Sequence, residues 1–236
     1  MPHVLSYHRP TSLANALTLL RRAHPPTRLL AGGTLVNADP AAAPVDVVDL
    51  QALGLAGITI DGTTAAIGAM TTLQDIVDDT RLPDVLRELA RRELPSALRT
   101  LATVGGTIAA GSWESELLAG LLVMECTVVT TAGEQPLNEL LANGVAPATI
   151  ITSIRVHTNG DMSVARTGRT PADTPIVAVV ARRTANASTV AATGVATTPI
   201  LVDPAHVGAI KPPTDFRGSG EYRNHLLRVL INRVSS

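Results

Sequence analysis

Two pairs of adjacent glycines stand where this chain could do chemistry. Leu29-Leu30-Ala31-Gly32-Gly33-Thr34 sets the first pair directly after an apolar run. Bare backbone N–H groups can curl around an anion there, and a phosphate can approach with no Cβ in its way. Thr103-Val104-Gly105-Gly106-Thr107 repeats the arrangement further along, with hydroxyls on both sides that can donate to phosphate oxygens. Neither run is a P-loop, because no Gly-Lys-Ser/Thr follows, and neither is G-x-G-x-x-G. A tight turn without a ligand is the alternative for each, but two such loops together are more specific than one. Glu116, opening the next predicted helix, can accept from a ribose or ribityl hydroxyl, or can simply favour the helix dipole. Trp113 can shield a bound ring or a partner surface, or serve as a packing residue. No Ser/His/Asp or Cys/His arrangement is visible, and the paired acids Asp78-Asp79 and Glu114/Glu116 have only their spacing to recommend them. Any chemistry must therefore come from a bound cofactor.

The elements that position these loops follow from apolar spacing. Val4 to Tyr7 reads as a strand, and Thr11 or Ser12 caps a helix with Leu13, Ala16, Leu17 and Leu20 on one stripe. His24-Pro25-Pro26 ends that helix, and Thr27 to Ala31 form a second strand, giving a βαβ unit that closes on Gly32-Gly33. A Pro/Ala stretch up to Pro44 leads to a third strand, Val45 to Leu50. Asp61-Gly62 predicts a hairpin between Ile58 to Ile60 and Ala65 to Gly68. Helices are expected at Thr72 to Asp79 and at Asp84 to Leu94, the second started by Pro83 and ended by Pro95. Beyond the second diglycine come a helix at Glu116 to Met124 and strands at Cys126 to Thr131 and Ile150 to His157. Thr158 to Asp161 is the best boundary candidate. A smaller sheet is expected after it, from Ser163 to Arg166, Ile176 to Arg182 and Thr189 to Ala192, and then an amphipathic last helix, Tyr222 to Val234.

Composition excludes several classes. The 236 residues allow one domain or two at roughly 100–200 residues each. With 45% apolar and 17% charged residues the chain is expected to fold, around an aliphatic core because aromatics are only 2%. Net charge is −1 and no basic block exceeds a pair such as Arg91-Arg92, so nucleic acid is not expected as a partner. Neither a signal-like start nor a membrane-spanning apolar run is present, which points to a cytoplasmic protein with no membrane insertion. A single cysteine, Cys126, excludes an internal disulfide and any thiolate-held iron–sulfur cluster within this chain. The six histidines show no zinc-site spacing.

In order along the chain, these residues resemble the flavin subunit of molybdenum hydroxylases of the xanthine dehydrogenase and carbon monoxide dehydrogenase kind. The resemblance begins with Tyr7-His8-Arg9-Pro10 and runs through Leu30 to Thr34, Val48-Asp49-Leu50, Ile67-Gly68-Ala69 with Thr71-Thr72, and Leu98-Arg99. It continues with Ala102 to Gly106, Ile108-Ala109 and Arg169-Thr170-Pro171-Ala172-Asp173, and closes with Asp215-Phe216-Arg217-Gly218-Ser219 and Glu221-Tyr222-Arg223. Such a family implies an α+β fold: a two-subdomain PCMH-type FAD-binding domain, like that of vanillyl-alcohol oxidase, and a small C-terminal α+β domain. On this chain the division would fall at 1–157 (subdomains about 1–53 and 54–157) and 158–236.

The resemblance also implies FAD held non-covalently. Leu30, Ala31, Gly32, Gly33, Thr34 and Leu35, together with Thr103, Val104, Gly105, Gly106 and Thr107, would surround its pyrophosphate. Glu116 stands where the family has an acid against the cofactor, and Arg166 near where it often has a base beside the flavin. In such complexes electrons leave a molybdenum cofactor on a large subunit and pass through [2Fe–2S] clusters on a small one. They reach the flavin and then NAD, a quinone or oxygen, so this oxidoreductase subunit would need both partners for activity. The chain departs from the family where Leu35 follows Thr34 directly, where Thr107 replaces Asn and Trp113 replaces Pro, and in a trimmed region after Thr158. Two other readings remain open at this point: a non-catalytic scaffold subunit of the same fold with a degenerate flavin site, and a free-standing FAD oxidoreductase.

Overall fold

The computed structural model describes residues 4–35, 44–168, 170 and 173–235. Residues 36–43, which include most of the expected Pro/Ala stretch, and Arg169, Pro171 and Ala172 of one family motif lie outside the described residues.

A small parallel sheet opens the chain. Its strands are β1 (Val4–His8), β2 (Thr27–Leu30) and β3 (Val45–Asp49), and α1 (Leu13–Leu20) connects the first two. Ser12 starts α1, its hydroxyl accepting from the Asn15 N–H at 3.3 Å. The strand order is β1-β3-β2, so the two strands of the predicted βαβ unit are not neighbours. β3 lies between them because its valines are buried on both faces, as a central parallel strand requires. The two aspartates of β3 are buried with it and draw partners from β1: the Tyr7 hydroxyl donates to Asp49, and the His8 ring lies 3.3 Å from Asp46.

The middle of the chain builds an antiparallel sheet of β4 (Ile58–Asp61), β5 (Thr64–Gly68), β6 (Thr127–Thr130), β7 (Gly133–Pro136) and β8 (Ile151–His157). Its order is β4-β5-β8-β6-β7. The Asp61-Gly62 hairpin forms as expected, with Gly62 at φ +55°. The helices of this part are α2 (Leu73–Asp78), α3 (Asp84–Glu93), α4 (Ser96–Arg99), α5 (Val104–Ala110), α6 (Glu116–Val123) and α7 (Leu137–Asn143). Thr72 and Asp75 close α2 with a reciprocal capping box. Every residue of α6 is buried, so this helix has no solvent face.

The last strands are β9 (Asp161–Arg166), β10 (Ala178–Arg183), β11 (Ser188–Thr193) and β12 (Ile200–Leu201), antiparallel in the order β12-β11-β10-β9. Val179 and Ala181 of β10 pack with Leu227 and Leu230 of α8 (Gly220–Ser235), while Val180 between them joins the core around α6. This alternation gives the sheet a helix on each face. Arg182, buried on β10, donates to the Val123 carbonyl at the end of α6 at 3.1 Å. The apolar core is therefore continuous across the link between β8 and β9. Among the described residues no helix is long and apolar enough to cross a membrane.

Candidate functional site

The first diglycine reaches its place because β2 ends at Leu30 and the chain turns under the segment that follows α4. A Cβ on Gly32 would sit 1.8 Å from the Leu101 carbonyl oxygen, so only glycine lets the two segments pass. Gly33 follows at φ +72°. Among the described residues, no acceptor takes the N–H of Gly32, Gly33 or Thr34, so this turn presents open backbone donors.

The second diglycine is not a loop. Thr103 caps α5, its hydroxyl accepting from the Gly106 N–H at 3.1 Å, and both glycines lie in the first helical turn. The backbone donors of this turn are already used. Val104 N–H reaches the Thr71 carbonyl at 3.0 Å, Gly105 N–H the Ala69 carbonyl at 2.9 Å, and Thr107 N–H the Thr103 carbonyl at 2.9 Å. The Thr107 hydroxyl also donates back, to the Thr103 carbonyl at 3.1 Å. The two glycines serve different ends. A Cβ on Gly105 would lie 2.7 Å from the Ala69 Cβ and 2.8 Å from its carbonyl oxygen, a packing constraint beneath the site. A Cβ on Gly106 would instead meet Thr103 Oγ1 at 3.1 Å and Ala31 Cβ at 4.0 Å, where the two motifs face each other.

Between them opens a cleft of about 630 Å³. Ala31, Gly32, Gly33, Thr34, Leu35, Thr103, Gly106, Thr107, Glu116 and Arg166 line it, so ten of the thirteen expected site residues converge. Leu30, Val104 and Gly105 do not reach it; the first ends β2, and the other two are buried beneath the cleft floor. Trp113 also stays out of the lining, packing under the Arg223 guanidinium 4.9 Å from its ring centroid.

Glu116 is 5% exposed at the first position of α6, beyond the Ser115 cap, whose hydroxyl accepts from the Leu118 N–H at 3.1 Å. Arg166 at the end of β9 reaches it, Nη2 to Oε1 at 3.1 Å, and donates to the Asp173 carbonyl at 2.7 Å. Burial raises the Glu116 pKa, and Arg166 opposes the shift. Its other oxygen, Oε2, is buried without a hydrogen-bond partner. A buried acceptor left open beside a cleft is suited to a ligand hydroxyl.

Sequence reasoning missed Glu93. It ends α3, lines the cleft, and its Oε2 accepts from the Leu117 N–H of α6 at 3.3 Å. Burial pushes its pKa up to about 6, the Ser115 and Leu117 hydrogen bonds oppose this, and the neighbouring Glu116 charge adds to it. A signal was present: an acid in the last turn of a predicted helix sits at the end that favours cations. Glu114, picked out only for its spacing, lines the cleft and pairs with Arg217, which also donates to the Thr174 carbonyl.

Residues 3–156 match the family described as the FAD binding domain in molybdopterin dehydrogenase. The chain is 29% identical over 248 residues to the Escherichia coli K12 protein YgfM, covering 95% of this chain and 93% of that one. It is 27% identical over 281 residues to the carbon monoxide dehydrogenase medium chain of Afipia carboxidovorans, covering 99% and 96%. Among solved structures, a chain of cyanide-inactivated Cu,Mo-CO dehydrogenase superposes with a TM-score of 0.83 at 25% identity, covering 99% of this chain and 98% of that one. A chain of quinoline 2-oxidoreductase from Pseudomonas putida 86 gives 0.84 at 18% identity, covering 97% and 94%, a likeness of fold.

Proposed function

Because the chain belongs to the family of FAD-binding domains in molybdopterin dehydrogenases, we propose that it is the flavin subunit of a multi-subunit molybdenum hydroxylase, holding FAD in the cleft between β2, α5 and α6. The observation that carries this reading is the meeting of both glycine motifs in one cleft, with a Cβ-free surface at Gly106 opposite the open N–H groups of Gly32 to Thr34. The residues fit the cofactor. Backbone donors of Gly32, Gly33 and Thr34 would take the pyrophosphate, with the Thr103 hydroxyl as a further donor and Thr107 and Gly106 lining its other side. Glu116 Oε2 would accept from a ribityl or ribose hydroxyl, and Arg166, held by Glu116 and the Asp173 carbonyl, would set the charge beside it.

A bound flavin takes electrons singly and passes them on in pairs. The protein's part is to bind and orient it, fix its electrostatic surroundings and limit water. A partner carrying [2Fe–2S] clusters would supply electrons that come from a molybdenum cofactor on a large subunit, and the acceptor would be external. Cys126 is free and buried, its thiol held protonated by burial.

The test is the visible spectrum of the purified chain, co-expressed with its genomic neighbours where it is unstable alone, followed by heat release of any chromophore. FAD near one per chain is the expected result. A folded, colourless chain that takes up no added FAD, alone or in its complex, would leave the scaffold reading in its place.

A further inference from the structure

We propose that Glu93 is a second carboxyl of the flavin site, and that it takes up a proton from solvent when the dinucleotide's pyrophosphate enters the cleft. The inference rests on the flavin reading and adds a residue and a proton to it.

The geometry isolates this acid. Of the other acids lining the cleft, Glu116 has Arg166 at 3.1 Å, Glu114 has Arg217, and the Asp173 carboxylate accepts from the Thr170 N–H at 3.0 Å. Glu93 has only hydrogen-bond donors. Its carboxylate accepts from the Leu117 N–H, and Ser115 lies beside it. Among the described residues it has no cation within salt-bridge reach. Arg92, next to it on α3 and also lining the cleft, is bound to Glu88 at 2.8 Å. The charged groups of the neighbouring elements are likewise engaged. On α4, Arg99 donates to the Leu94 and Arg91 carbonyls at 3.0 and 2.8 Å. On α3 itself, Arg91 pairs with Glu88 and Arg87 with Asp84. From α6 Glu93 meets the Glu116 charge, and Arg166 of β9 is turned to that same Glu116.

A pyrophosphate is a dianion. Placed in this cleft, it adds negative charge to the cavity that Glu93 lines, and among the described residues Glu93 has no arginine within salt-bridge reach. The least costly response is protonation of that carboxylate, whose pKa in the free protein is already about 6. Among the described residues no histidine lines the cleft. Binding and protonation are then linked: affinity is greatest below about pH 6 and falls above it, until the pKa of the complex is passed. One linked proton sets the limiting slope at about tenfold in Kd per pH unit.

The experiment takes the full chain stripped of flavin and titrates it with FAD by flavin fluorescence from about pH 5 to about pH 8. Calorimetry at about pH 7 in two buffers of different ionisation enthalpy then counts protons. The expected result is a Kd that rises with pH above about 6 and a net proton uptake in the wild type. Glu93→Gln, which can still accept from Leu117, should show a flat profile and no uptake. An equal slope in Glu93→Gln overturns the proposal, as does a flat wild-type profile without proton uptake, while tight FAD binding in either case leaves the flavin reading intact. No FAD binding at any pH removes both.

Discussion

Adjacent glycines with opposite jobs give the sharpest test of the site. In Gly105→Val the new Cβ would lie 2.7 Å from the Ala69 Cβ and 2.8 Å from its carbonyl oxygen. No rotamer relieves a clash with backbone, and shifting α5 would break the 2.9 Å bond from the Gly105 N–H to that same carbonyl. The cost should fall near the upper end of the overpacking range, about 3 kcal/mol. At about 2–4 °C per kcal/mol for a chain of this size, Tm should drop by about 6–12 °C. In Gly106→Val the nearest atom is Thr103 Oγ1 at 3.1 Å, the end of a side chain, so the strain is limited to loosening one helix cap, about 1 kcal/mol. Its methyls, however, project toward the first glycine motif. Displacing a phosphate oxygen from one charge-assisted hydrogen bond costs about 1.5–3 kcal/mol, tenfold or more in FAD affinity. Thermal melts of the flavin-free variants, paired with FAD titrations, separate the two effects. Gly105→Val melting with the parent, or Gly106→Val unfolding as badly as its neighbour, would refute this assignment of roles.

Three further outcomes follow from other parts of the structure. Glu116→Ala should weaken FAD binding by about 1–3 kcal/mol, measured as Kd at fixed pH, because its open Oε2 is the acceptor assigned to a ligand hydroxyl; an unchanged Kd would return Glu116 to a helix-end role. Arg223→Met should destabilise the chain by about 3 kcal/mol in denaturant melts, since this 1% exposed guanidinium binds Asp215 at 2.8 Å and the Ile176 and Gly194 carbonyls at 2.7 and 2.9 Å. Arg223 also holds the Asp215 carboxyl below its ordinary range. That share of stability is present at neutral pH and lost as pH falls through the acid range, so the variant should show a shallower acid-side loss. Truncation after His157 removes Val180 and Ala191 from the core around α6 and should leave a chain that aggregates or binds a hydrophobic dye, whereas a monomeric fragment with a cooperative melt would show two independent units.

Most of the fold was legible because its elements are bounded by local chemistry. Ser12, Thr72 and Pro83 mark helix starts, Asp61-Gly62 marks a turn, and alternation in β10 sends Val179 and Val180 to opposite faces. What sequence reasoning could not see was non-local. β3 inserts between β1 and β2 because it is the most fully buried of the three strands, a comparison between distant segments that no single run of residues shows. The short α5 and α7 were missed for a different reason. Val104 to Ala110 carries two glycines that argue against a helix, and the N–H groups of its first turn are satisfied by Ala69, Thr71 and the Thr103 cap. Tertiary partners overrode propensity there.

The same distinction governs the site. Glycine motifs announce themselves in sequence because glycine is demanded by close approach, but the sequence cannot say what is approaching. At Gly32 it is the Leu101 carbonyl, at Gly105 it is Ala69, and at Gly106 the space opens toward the cleft. Of the four glycines, Gly105 is the one the structure holds off the cleft as a packing contact, which its place in the motif does not reveal. The carboxylates err in the opposite direction. Glu116 was visible as a helix-start acid, but Glu93 acquires its raised pKa only because α3 and α6 pack side by side and bury it against Glu116 and the Leu117 amide. The cleft's proton chemistry therefore depends on a helix contact, and substitutions at Leu89, where α3 meets Gly120 of α6, should move that chemistry without touching the cleft.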